Sequence, residues 1–156
     1  MSQDVETVMI DFGREIARMA TSTIFDDIQE VMANDEQFAN PEAVGSELTG
    51  VKPPLESSTI RMKLGFPFPE KPRYRSGMMF ESLAQEIDGD LEGEIGLMDF
   101  DSEKVNTQQF GEGNTPARPF MGVSNRALGK IESGFISLGD KLVAEYDKVI
   151  LEPVIV

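Results

Sequence analysis

The chain has no cysteine and no histidine among its 156 residues. Without cysteine there are no disulfides, thiolate metal centres or cysteine nucleophiles. Without histidine the commonest general base and transition-metal ligand are missing, so neither a Ser-His-Asp nor a Cys-His mechanism can be assembled. Positive charge is scarce as well: 14 Lys and Arg face 28 Asp and Glu, a formal net charge of −14. A field of that sign repels phosphate backbones and anionic lipid, so no direct sequence-specific nucleic-acid binding and no membrane partner are expected. No apolar run approaches the roughly 20 residues needed to span a bilayer, and the N-terminus lacks a basic stretch leading into an apolar core. These absences predict a soluble protein made without a secretory signal. The length suits one domain, 1–156, with a single core.

What is present begins with helical periodicity. Val5, Met9, Phe12, Ile16 and Met19 step by fours and threes, and Ile24, Ile28 and Val31 continue the face, predicting an amphipathic helix over about residues 3–33. Asp26, Asp27 and Glu30 fall in its polar set and read as solvated. From about 34 to 72 the pattern breaks under repeated Pro and Gly, which predicts an irregular arm or a surface loop; only Thr59 to Leu64 alternates like a strand. A short element at Met78–Leu83 leads to a predicted hairpin, Ala84 to Ile87 and Leu91 to Met98. Its second strand places Leu91, Gly93, Ile95 and Leu97 on one face. A second long helix is expected over about Asn125–Lys148, capped by Ser124, with Leu128, Ile131, Phe135, Leu138, Leu142 and Tyr146 as its apolar set. Leu151 to Val156 would add an edge strand or seal the core. The fold class is α+β: a small, mainly antiparallel sheet of about three to five strands, packed against long N- and C-terminal helices.

Between hairpin and final helix lies Thr115-Pro116-Ala117-Arg118-Pro119-Phe120-Met121-Gly122, preceded by Phe110-Gly111. Pro116 and Pro119 remove two backbone donors and hold the chain extended, so the segment forms an elbow carrying one guanidinium and one aromatic ring. A guanidinium on a stiff backbone is suited to a bidentate pair, and Phe120 to filling a pocket of the core or of an interface. Upstream stands Arg75-Ser76-Gly77-Met78-Met79-Phe80-Glu81-Ser82-Leu83. That order, from an opening Gly-x-apolar element through a hairpin, a Phe-Gly turn and a Pro-Ala-Arg-Pro-Phe elbow to a closing helix, resembles the tail-completion and head–tail joining (virion morphogenesis, neck) proteins of tailed bacteriophages. Serine replaces the family's usual threonine at 76, and Met79 takes its apolar position. The resemblance covers roughly residues 70–147. It implies a structural virion protein, not an enzyme and without cofactors, that completes or terminates the tail and joins it to the head connector. It further implies a homo-oligomeric ring, most plausibly a hexamer, contacting the tail tube protein and neck proteins and assembled in the host cytoplasm. Arg118, Phe120, Pro116 and Pro119, with Arg73 and Arg75 of the one basic cluster, are the expected interface residues.

One local spacing suggests a different chemistry. Asp88, Asp90, Glu92 and Asp99 occupy positions 1, 3, 5 and 12 of a calcium-type loop, with Gly93 at 6 and Ile95 at 8. The departures are Glu at position 5, a short Asp in place of a bidentate Glu, and no convincing exiting helix. The alternative it carries is an acidic, calcium-responsive binding module; the competing reading is a hairpin with an acidic outer face. Gly111-Glu112-Gly113 lacks the further glycine or lysine of a phosphate cradle and reads as a turn.

Overall fold

Two long helices frame the protein. The computed structural model describes residues 4–40, 45–65, 78–88, 91–98 and 100–151. Helix α1, Val5–Ala33, starts where the Asp4 carboxylate accepts the Thr7 amide at 2.7 Å. That hydrogen bond holds the Asp4 carboxyl below the usual carboxylate range. The helix ends at Asn34 because Asp35 takes a left-handed backbone conformation, φ 55°, which turns the chain out of the helical path. Helix α5, Asn125–Leu151, runs antiparallel to it: Asp27 meets Arg126 at one end, while Phe12 meets Phe135 edge-on, ring centroids 6.2 Å apart, towards the other.

The rest of the chain is short elements packed at the Asp27 end. Strands β1, Glu36–Phe38, and β2, Leu48–Gly50, pair antiparallel with Phe38 opposite Leu48. Helix α2, Ser57–Met62, and helix α3, Met78–Glu81, follow. Strands β3, Leu83–Asp88, and β4, Glu92–Leu97, form a second antiparallel hairpin, with Leu83 opposite Leu97 and Gln85 opposite Ile95. Helix α4, Ser102–Phe110, then leads through Gly111 into the elbow and α5. The core lies where these meet α1: Ile28, Val31, Met32, Met79, Leu83 and Phe120 are buried together, with Ile95 and Leu97 packed against them.

The architecture is the expected α+β one, though its four described strands form two separate two-stranded sheets instead of one. Both long helices and the second hairpin fall where periodicity placed them. Within 34–65 the expected irregular arm is instead a hairpin and a helix. Thr59 to Leu64, read as a strand, lies in and just beyond α2, whose residues are all at least partly exposed. Ile60, Met62 and Leu64 alternate, but Met62 and Leu64 are 76% and 67% exposed, so no buried sheet face receives them. Leu91, expected on the buried face of β4, is 72% exposed: it precedes the strand and lies over Gly13 of α1. Gly93 packs so tightly on Thr21 that a β-carbon there would overlap its hydroxyl. Residues 66–77 and the 152–156 part of the expected edge strand lie outside the described residues, and Leu151 ends α5.

Ile95→Asp would put an unpaired carboxylate against the Ile28–Phe120 cluster. Its expected cost is about 3 kcal/mol, read as a clear fall in melting temperature; an unchanged transition would remove β4 from the core.

Candidate functional site

The C-terminal part of the chain is held by a buried carboxylate with its guanidinium partner, a buried guanidinium on two main-chain carbonyls, and one amide clamp. At the first, Asp27 is almost fully buried on α1. Its Oδ2 accepts the Ser124 hydroxyl at 2.7 Å and its Oδ1 accepts Arg126 Nε at 2.7 Å. Ser124 Oγ in turn accepts the Ala127 amide at 3.1 Å, which caps α5 as its sequence position suggests. Arg126 also reaches Glu36 of β1 at 3.1 Å and Glu30 at 3.4 Å. Burial pulls the Arg126 guanidinium down, but its hydrogen bonds and charge contacts with Asp27 and Glu36 outweigh this and leave it raised. Asp27 is thus not a solvated helical carboxylate. It joins α1, β1 and the start of α5, and burial is what forces it to be paired.

The second arrangement lies at the elbow. Arg118 is 4% exposed and Phe120 is fully buried. Arg118 Nε donates to the Pro53 carbonyl at 2.8 Å and its Nη2 to the Pro54 carbonyl at 3.3 Å. Pro53 and Pro54 have no amide donors and cannot continue the β2 ladder, yet their carbonyls still need partners, which the guanidinium fork supplies. Burial lowers the Arg118 pKa, with the charge of Asp35 acting in the opposite sense. Phe120 fills the core cluster, Pro119 is buried and Pro116 half-buried. The elbow expected to face a neighbouring subunit is therefore turned inward. Arg73 and Arg75 lie outside the described residues.

A third set of contacts explains how an extended proline-rich segment is kept without a sheet. The Gln109 side chain accepts the Phe120 and Met121 amides, both at 3.0 Å, and donates to the Met121 carbonyl at 2.9 Å. It does for the elbow what a neighbouring strand would do. The Phe38 amide donates to Pro119 O at 3.2 Å and the Arg118 amide to Gln108 O at 2.7 Å, so the elbow is stitched to β1 and α4. Gly111 opens the path, since at φ 76° a β-carbon would press on Thr115 O and the Ala117 amide. Gly111–Gly113 is the turn the sequence suggested, closed by a bridge between Glu112 and Thr115.

The calcium spacing is carried by the β3–β4 hairpin. Asp88 and Glu92 are cross-strand partners, and Asp90 and Asp99 lie outside the described residues. Strand β4 draws residues 92–97 out, about 16 Å at 3.3 Å per residue, whereas a calcium loop curls those positions around one ion. Among the described residues no cluster of three acidic side chains is placed to hold a metal, and no helix is long and apolar enough to cross a membrane.

What remains at the surface is apolar. Val5, Met9, Phe135, Ile136, Val143 and Tyr146 are 38–64% exposed on α1 and α5 at the end away from Asp27, and Met62 and Leu64 are exposed on and beside α2. These patches, not a cleft, are the candidate functional surface. Periodicity assigns Val5, Met9, Phe135 and Tyr146 to buried stripes, but all four stay 38–52% exposed. Comparison of the chain with protein-family models, curated proteins and solved structures gives no match.

Three substitutions test the buried network. Arg118→Ala should remove two charge-assisted hydrogen bonds to the Pro53 and Pro54 carbonyls and destabilise the monomer by about 2–3 kcal/mol; an unchanged denaturation midpoint would mean that the pair contributes nothing. Arg126→Ala leaves the buried Asp27 carboxylate without its cation and should be more severe, about 3–5 kcal/mol, whereas Asp27→Ala leaves Arg126 paired with Glu30 and Glu36 and should cost less. In a double-mutant cycle of Asp27→Ala with Arg126→Ala the two losses should be far from additive, and additive losses would refute the coupling.

Proposed function

We propose that this chain is a structural protein of the neck of a tailed bacteriophage, completing the tail and joining it to the head connector as a closed ring of identical subunits. The observation that carries the reading is the order of the elbow, Phe110-Gly111 followed by Pro116-Ala117-Arg118-Pro119-Phe120 and then α5, in which it resembles the tail-completion and head–tail joining proteins. The α+β architecture with long first and last helices is compatible with it, and the residues of the elbow account for their own presence: each is used to lock the closing helix to the body. A chain without histidine or cysteine fits a role in assembly better than one in catalysis.

Two surface properties add support. A net charge of −14 suits docking on a basic protein surface. The two exposed apolar patches lie on different elements, and a ring needs two different surfaces on every subunit. In this reading the particle contacts are made by those patches, and Arg118 and Phe120 serve them indirectly by keeping the scaffold rigid.

Deleting the gene from the phage that carries it should give separate full heads and complete-looking tails by electron microscopy, with infectivity restored by the wild-type chain supplied in trans. Joined particles of normal infectivity after deletion would refute the neck assignment.

A further inference from the structure

Helix α5 is anchored at one end. Its first turn is held firmly: Asp27 accepts Ser124 and Arg126, the Asn125 side chain donates to Glu47 at 3.2 Å, and the Gly45 amide donates to Val123 O. Ala127, within that turn, is fully buried, and beyond it no described side chain of α5 is buried. From there to the tip at Val5 and Tyr146, α5 meets α1. Phe135 lies edge-on to Phe12, Met19 lies over Gly134, and Lys141 stands 4.0 Å from Glu15. The Lys141 pair is open to solvent, where such pairs stabilise little. Among the described elements α5 packs at length on α1 alone. Helix α1 has a second support in the β3–β4 hairpin, since Gly93 lies against Thr21, Ser22 donates to Gln85 at 3.3 Å and Leu91 covers Gly13.

The α5 sequence also weakens its own helix. Glycines stand at 129, 134 and 139, and inside a helix glycine is less favourable than alanine because more backbone freedom is lost. Gly134 has a packing reason: a β-carbon there would fall 2.8 Å from the Met19 sulfur. Gly129 and Gly139 have no such reason, because a β-carbon at either would meet no atom within 4 Å. Gly129 directly follows the anchored turn. A helix of this length with three glycines is marginal in water on its own, so a segment that leaves α1 also unwinds.

We infer that α5 is built in two parts: an anchored start, 124–128, and an outer part from Gly129 onward that detaches from α1 and unwinds as one unit while the body and the Asp27 joint stay folded. Such an opening is a local unfolding step, by which a native protein releases its least stable element without unfolding as a whole. It uncovers the side of α1 that carries Phe12 and Met19, while the hairpin continues to support α1 from Gly13 to Ser22. Gly129 and Gly139 set how often it happens, and the held first turn gives the segment a fixed start from which to rewind. The device is independent of the neck assignment.

Amide hydrogen exchange of the full chain, followed by mass spectrometry on overlapping peptides, tests it. Peptides from 131–147 should exchange as a group, at least about tenfold faster than those from 14–32 once intrinsic rates are allowed for. Their rate should also rise less steeply with urea, because the smaller opening exposes less surface. Gly129→Ala and Gly139→Ala place a methyl group in open space, so each should slow exchange over 131–147 about fivefold. Equal rates and equal urea slopes for the two segments would mean that α5 leaves only when the whole chain unfolds, and would overturn the inference. A rate that climbs steadily from 131 to 147 would reduce it to ordinary fraying of a helix end. Alanine variants that exchange like wild type would overturn it too, since the glycines would then not set the opening.

Discussion

A carboxylate taken out of water must find partners, and in this protein the Asp27 carboxylate finds them 97 and 99 residues away. Removing a charge from solvent is unfavourable by several kcal/mol unless hydrogen bonds and an opposite charge replace the hydration. Ser124 and Arg126 together provide both, and only one register of α5 on α1 lets them do so. The same two residues have further duties: Ser124 caps α5 and Arg126 reaches Glu36 on β1. One buried charge therefore sets where the last helix begins, how it lies along the first, and where the first hairpin joins them. Hydrophobic contacts between the long helices would tolerate a slide of one turn; this pairing does not.

With the helices in place, a physical difficulty remains in the middle of the chain. The described residues hold two small two-stranded hairpins, so much of the buried backbone among them lacks a strand to pair with. Side chains take over that task. Gln109 presents its amide to Phe120 and Met121, Gln37 donates to Lys52 O and accepts the Lys52 amide, and Arg118 serves two proline carbonyls. Prolines make the elbow and the Pro53-Pro54 step stiff but leave them with acceptors and no donors, and each is matched to a donor-rich or two-sided side chain. The elbow is a structural joint assembled from the chain's own residues, and the surface it frees for contact is elsewhere.

Local order was legible in the residues and long-range pairing was not. The steps of three and four from Val5 to Val31 and from Leu128 to Tyr146, and the alternation at Glu92–Leu97, each describe a neighbourhood of a few residues, and helices α1 and α5 and strand β4 appear there. Thr59–Leu64 shows the limit of the same reasoning: six residues with apolar side chains at every second place suit a strand only where a sheet has room, and here a helix forms. Asp27 and Arg118 show the other limit. Nothing near Asp27 in sequence distinguishes it from Asp26, which is exposed. Arg118 reads as a surface cation because its acceptors are main-chain carbonyls 64 and 65 residues earlier, and a carbonyl leaves no trace in the letter code. The one available signal was the pairing of two donor-poor proline steps with a single arginine between prolines.

The distribution of burial along α1 and α5 bears on what the molecule is built to do. Towards Asp27 the helices are wrapped by both hairpins, α3, α4 and the elbow; towards Val5 and Tyr146 they pack on each other, with an exposed ion pair between Lys141 and Glu15 at 4.0 Å. An exposed pair of that kind contributes about 0–1 kcal/mol, so the tip is held mainly by Phe12, Met19, Ile131 and Leu138 along the seam. Ile136 and Val143 are 64% and 60% exposed on α5, so their apolar groups gain little from the folding of a single chain. The buried joint at Asp27 and the elbow locked by Gln109 have a mechanical sense of their own: they fix the register of α5 on α1 and the path by which the chain enters α5, and so set where the exposed half of the helix pair stands relative to the body.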